Sequence, residues 1–80
     1  MDEIKTRVNK VFRKVFEDDS LNIEMETCSD DIPGWNSLAH INLLAMIEKE
    51  FDIRFDIDQI ITFENVGDIC KAIETLYSGD

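Results

Sequence analysis

The chain has 80 residues, enough for one small domain, and its 18 acids against 8 Lys and Arg leave a formal net charge of −10. That balance excludes nucleic acid and an anionic membrane surface as partners, and 44% hydrophobic beside 32% charged residues excludes a disordered tail. No apolar run approaches the roughly 20 residues of a membrane span and no signal peptide opens the chain, so no membrane contact and a cytoplasmic location are expected.

Residues 2–16 are predicted to form an amphipathic helix, with Ile4, Val8, Val11, Phe12 and Val15 recurring on one face. Its basic residues, Lys5, Arg7, Lys10, Arg13 and Lys14, occupy the rest of the surface, and every later segment is neutral or acidic. The acidic remainder serves either as a solubilising surface or as a face that steers toward basic enzyme patches. Glu17-Asp18-Asp19 suits the negative end of a helix dipole poorly and marks the helix end. Residues 17–35 are too long for an ordinary connection, and Leu21, Ile23, Met25 and Ile32 mark them as a loop packed onto the domain.

Pro33-Gly34 is a turn, and Asn36 or Ser37 then opens a helix over 36–51. There Ser37 is either part of an N-cap or a hydroxyl whose phosphate ester the positive helix end would favour. Leu38, Ile41, Leu44, Ala45 and Ile47 predict the apolar face, closed by Phe51, with Leu43 and Met46 at its edge or against a partner. Trp35 either packs or lies against a ligand or partner. Residues 52–56 alternate like a strand but have no second strand to pair with, so an extended linker with Ile53 and Phe55 turned inward is expected. The same stretch fails as a calcium loop, lacking the required glycine and placing Arg54 at a ligand position.

Residues 57–61 make a helical turn or two carrying Ile57, Ile60 and Ile61. Asn65 caps a last helix with Asp68 three residues on, followed by Val66, Ile69, Cys70, Ile73, Leu76 and Tyr77 at helical spacing. Cys70 is then a small core residue; neither it nor Cys28 has a His or Cys at metal-ligand spacing, so reduced thiols and no metal are expected. Three main helices and one short helix around one core define an all-α fold, a small four-helix bundle spanning residues 1–80 as a single domain.

A catalytic serine would need a base, and His40 lies one turn beyond Ser37. No third residue is evident to orient the imidazole and no oxyanion-hole pattern is present, so no enzyme activity is expected.

Ser37-Leu38 is followed by Ile41, Leu44, Ile47, Glu48, Phe51, Ile53 and Phe55, and later by Asp68, Ile69 and Ile73. This ordered set resembles the acyl carrier protein family over nearly the whole chain, with Asn36 where the family usually has Asp. The resemblance implies 4′-phosphopantetheine, from coenzyme A, carried on Ser37 and holding acyl groups as thioesters. It implies as partners a phosphopantetheinyl transferase and acyl-loading and acyl-transfer enzymes, acting on a monomer. Trp35, Asn36, Leu38, His40 and Ile41 are the expected contacts to the arm or a partner, His40 being otherwise a solvated helix residue. Leu44, Ile60, Ile61 and Phe63, together with Ile41, are the expected lining for an acyl chain. Asn36, Ala39 and Asn42 are neutral where fatty-acid carriers have acids, and Lys49 reverses another position. These departures imply a specialised fatty-acid or polyketide-like pathway, or a polysaccharide-linked one. An aminoacyl or D-alanyl carrier and an unmodified acidic adaptor of the same fold are the alternatives.

Overall fold

An apolar stripe on a lone helix needs surfaces to bury it. The computed structural model, which describes residues 2–77, supplies them from two later helices. Helix α1 spans Asp2–Val15, α2 Ser37–Phe51, α3 Ile57–Thr62 and α4 Val66–Leu76. A single 3-10 turn at Ser29–Asp31 interrupts the long loop, and no strand occurs among the described residues. The architecture is the all-α bundle of three main helices and one short one.

Helix α1 packs on both α2 and α4. Val8 and Phe12 from α1, Leu43, Leu44 and Ile47 from α2, and Val66, Ile69, Cys70 and Ile73 from α4 are fully buried. Each contributes on the order of 1.5–3 kcal/mol by burial, Cys70 less. Burial also pushes the Cys70 thiol up from 9.0 to about 11.

The face of α2 differs from the expected one. Leu43 lies in the core, whereas Leu38, Ile41 and Ala45 are exposed, Leu38 by 70%. Apolar residues encircle α2, so its periodicity leaves the rotation open; packing against α1 and α4 selects Leu43, Leu44, Ile47 and Phe51. Leu76 is likewise exposed, with Ile73 and Tyr77 taking the inner side of the last α4 turn.

Helix ends follow local chemistry. Glu17 takes a left-handed conformation (φ 52°), letting the Asp18 N–H reach Arg13 O at 3.0 Å, so the acidic run does end α1. Asp52 does the same after α2, at φ 54°. Its successors form the extended linker: Phe55 is buried and its N–H donates to Glu48 Oε2 at 2.7 Å, while Ile53 is half-buried. At the α2 terminus, Arg7 donates to Glu50 Oε2 (2.8 Å) and Glu50 O (2.7 Å), and its guanidinium lies 4.3 Å from the Phe51 ring centre. The Glu50 hydrogen bond raises the Arg7 pKa further.

The loop is stitched to the start of α4. Val66 N–H donates to Thr27 O at 2.9 Å and Gly67 N–H to Met25 O at 2.8 Å, beside a β-bridge between Cys28 and Asn65. A Cβ at Gly67 would sit 3.1 Å from that Met25 oxygen, so glycine lets the two backbones approach. Asn65 Oδ1 accepts from Asp68 N–H at 2.9 Å, and Asp68 Oδ2 accepts from Glu64 N–H at 3.0 Å, a capping box displaced by one residue. Ile23 and Ile32 drop into the core, with Leu21 and Met25 packed against it.

Candidate functional site

The turn before α2 places the candidate serine. Gly34 adopts φ +91°, a conformation other residues resist, and redirects the chain so that Trp35 points inward and Ser37 outward. Asn36 is the N-cap: its Oδ1 accepts from Ala39 N–H at 2.9 Å, and its backbone oxygen accepts from His40 N–H at 2.8 Å. Ser37 is therefore the first helical residue, not the cap, and its side chain is exposed. No acid occupies the first turn of α2, so nothing there opposes the positive helix end.

Ser37 opens onto a cleft of about 820 Å³. One wall is apolar, made by Trp35, Ile41, Ile60, Ile61 and Phe63; the other is polar, made by Glu26, Ser29, Asp30, Glu64 and Asn65 with Cys28 among them. Asn36 and His40 complete the lining. Of the residues picked out by sequence, the fold thus gathers Trp35, Asn36, Ser37, His40, Ile41, Ile60, Ile61 and Phe63 around one space. Leu38 is exposed outside it, and Leu44 is sealed in the core and does not reach it. Leu44 lies on the core side of α2, fully buried.

The polar wall carries no periodic signal. Its residues come from the loop and from the link before α4, which meet through the Cys28–Asn65 bridge and the Val66–Thr27 and Gly67–Met25 backbone bonds. That bridge has no counterpart in residue spacing.

His40 is not a freely solvated side chain. Trp35 Nε1–H donates to His40 Nδ1 at 3.0 Å, and His40 Nε2 lies 2.8 Å from Ile60 O. An indole N–H can only donate and a carbonyl can only accept, so Nδ1 is the acceptor and Nε2 bears the proton. A third residue does orient the imidazole, contrary to expectation, but both ring nitrogens are thereby committed. The one available lone pair, on Nδ1, is not left to take a proton from Ser37. Trp35 itself is packed, edge-on to Phe12 with ring centres 5.2 Å apart and stacked beside His40 at 5.9 Å.

Residues 34–73 match the family described as phosphopantetheine attachment site. The chain is also similar to the solution structure of a holo acyl carrier protein from Geobacter metallireducens. The two share 32% sequence identity and a TM-score of 0.87, over 99% of this chain and 90% of that one. No curated protein matches the sequence. An exposed serine at the mouth of a two-walled cleft, on this fold and within this matched segment, leads to one conclusion: the chain belongs to the acyl carrier protein family, whose members are carriers rather than enzymes and hold 4′-phosphopantetheine as their prosthetic group.

Proposed function

We propose that Ser37 bears the 4′-phosphopantetheine and that the chain presents acyl intermediates to partner enzymes of a specialised pathway, polyketide-like or polysaccharide-linked. The observation that carries this reading is the exposure of Ser37 as the first residue of α2, directly at the mouth of the cleft. The surroundings fit such a group: a phosphodiester on Ser37 Oγ meets unpaired N–H groups and no acid in the first turn. The polar wall offers Ser29 and Asn65 as hydrogen-bonding partners for an amide-bearing arm, and Ile41, Ile60, Ile61 and Phe63 offer apolar surface for a chain. When bound, the group supplies a terminal thiol that carries the acyl unit as a thioester. Trp35 and His40 do not activate the serine, whose need is accessibility to a phosphopantetheinyl transferase.

Partner choice follows from charge. Asn36, Ala39 and Asn42 leave the outer face at the α2 start neutral, while Glu26, Asp30 and Glu64 place acids on the opposite side of the cleft. An enzyme that docks beside Ser37 through basic residues meets this protein's acids across the cleft, not at the start of α2. That arrangement favours dedicated enzymes over those built for an acid-lined helix, and the net charge of −10 disfavours nucleic acid or an anionic membrane as partners.

The test is intact mass after incubation with coenzyme A and a broad-specificity transferase. Wild type should gain one phosphopantetheine mass, and Ser37→Ala should gain none while keeping its helical circular dichroism. Loading of Ser37→Ala, or no loading of wild type by several transferases, would refute the assignment.

A further inference from the structure

Helix α3 is the least anchored element of the bundle. It has six residues and none of them is buried. A helix of that length does not hold itself in water. Its backbone bonds from Gln59 and Ile60 close on Asp56 O at 3.0 and 3.1 Å, and Thr62 Oγ–H closes on Gln59 O at 2.8 Å. All of these lie within α3 and its own cap. Among the described residues, one hydrogen bond ties α3 to another helix: His40 Nε2–H to Ile60 O, at 2.8 Å. That carbonyl lies in the last turn of α3, where a helix leaves its oxygens unpaired, so the imidazole both satisfies and tethers it.

The tether is rigid at its far end. Trp35 is buried, wedged edge-on against Phe12, and its indole N–H fixes His40 Nδ1 at 3.0 Å. Bonds therefore run from a core aromatic, through the imidazole, into the α3 backbone. At the other end of α3, buried Phe55 and its N–H bond to Glu48 at 2.7 Å pin the linker in place. α3 is thus hinged at Phe55 and held at Ile60, and it contributes Ile60 and Ile61 to the cleft wall.

We propose that Trp35 and His40 form a latch that sets how far α3 stands from α2, and hence how wide the cleft beside Ser37 opens; that the cleft receives what Ser37 carries rests on the carrier reading above. Both are positioning residues. Breaking the Ile60 bond leaves α3 held by the half-buried Ile60 side chain and by its flanking aromatics, Phe55 and Phe63, whose rings meet at 5.4 Å, and lets it move about the linker.

The measurement is native-state hydrogen exchange by NMR on the unmodified full chain. His40→Ala should speed exchange of the α3 amides about tenfold relative to those of α1 and α4, as loss of one anchoring hydrogen bond would. His40→Gln, which keeps an N–H donor for Ile60 O, should restore most of the protection. Trp35→Phe, which keeps a ring in the core but deletes the donor, should give a smaller rise confined to α3. Trp35 is the sole tryptophan, so a change in its emission in His40→Ala reports the broken indole bond directly. Equal acceleration in all helices of His40→Ala, or failure of His40→Gln to rescue, would show a merely structural role and overturn the latch. If His40→Ala does not fold, Trp35→Phe decides: α3 exchange unchanged from wild type overturns the proposal. Because the protein is unmodified throughout, failure of a transferase to load it bears on the carrier reading alone.

Discussion

The two sides of this small bundle are built on different terms. On one, α1, the inner face of α2 and α4 bury Val8, Phe12, Leu43, Ile47, Ile69 and Ile73 completely. On the other, α3 buries nothing fully and leaves Ile57 and Ile61 largely exposed, at 65% and 71%. The first side is stabilised by apolar area, the second by a few directed hydrogen bonds at Phe55 and Ile60. An apolar contact must be lost over its whole area to fail, whereas a hydrogen bond can exchange with water at small net cost. The apolar wall of the cleft draws on both, with Trp35 from the packed side and Ile60 and Ile61 from α3, so part of it is fixed and part adjustable.

The thiols should separate the two sides most sharply. Cys70 belongs to the packed side, and a thiol pushed up to about 11 is ionised to only about one part in a thousand at pH 8. Cys28 lies at the cleft, half-exposed. Iodoacetamide at pH 8 should modify Cys28 alone in native protein and both residues in urea, as peptide mass mapping would read; native labelling of Cys70 would mean that the packed side breathes. The sign with pH also follows. The folded state holds Cys70 protonated above the thiol's ordinary 9.0, so this residue's share of stability is present below that value and is lost as pH rises through it toward 11.

Ile47→Ala should cost about 2–5 kcal/mol in urea melts, a large part of what an 80-residue domain has to lose. Glu48→Ala removes only the acceptor of the Phe55 N–H and should cost about 1–2 kcal/mol, with exchange rising first in the linker and α3. Ile61→Ala should fall within about 0.5 kcal/mol of wild type. A cost for Ile61→Ala equal to that of Ile47→Ala would erase the distinction between the sides.

Much of this fold was legible from residue types. The helices begin and end within about a residue of where caps and periodicity put them, because Asn65, Gly34 and the 17–19 acids act locally. The packed loop was legible too, since Ile23 and Ile32 among polar neighbours have no other use. The rotation of α2 was not, because Leu38, Ile41, Leu43, Leu44 and Ala45 are apolar all round the helix, and only the neighbours decide which of them face inward. The tether from His40 to α3 was not legible for a related reason: its partner is a backbone carbonyl, a group every residue has, so no side chain advertises the contact. The polar part of the cleft wall was equally invisible, being assembled from Glu26, Cys28, Ser29 and Asp30 and from Glu64 and Asn65 by long-range backbone pairing.

The pairing that joins the loop to α4 also bears on how the chain folds. Met25 and Thr27 supply the carbonyls that satisfy the first N–H groups of α4, some forty residues later in the chain. Helices α1 and α2 can begin from local contacts, but the first N–H groups of α4 find these carbonyls only after a large chain segment has been closed, an entropic cost met only when the core forms. The loop and α4 should therefore acquire structure together and late, as one cooperative unit. The step that closes the bundle is the same step that brings Cys28 beside Asn65, so any molecule that has not finished folding lacks the polar wall of the cleft and cannot offer Ser37 in its proper setting.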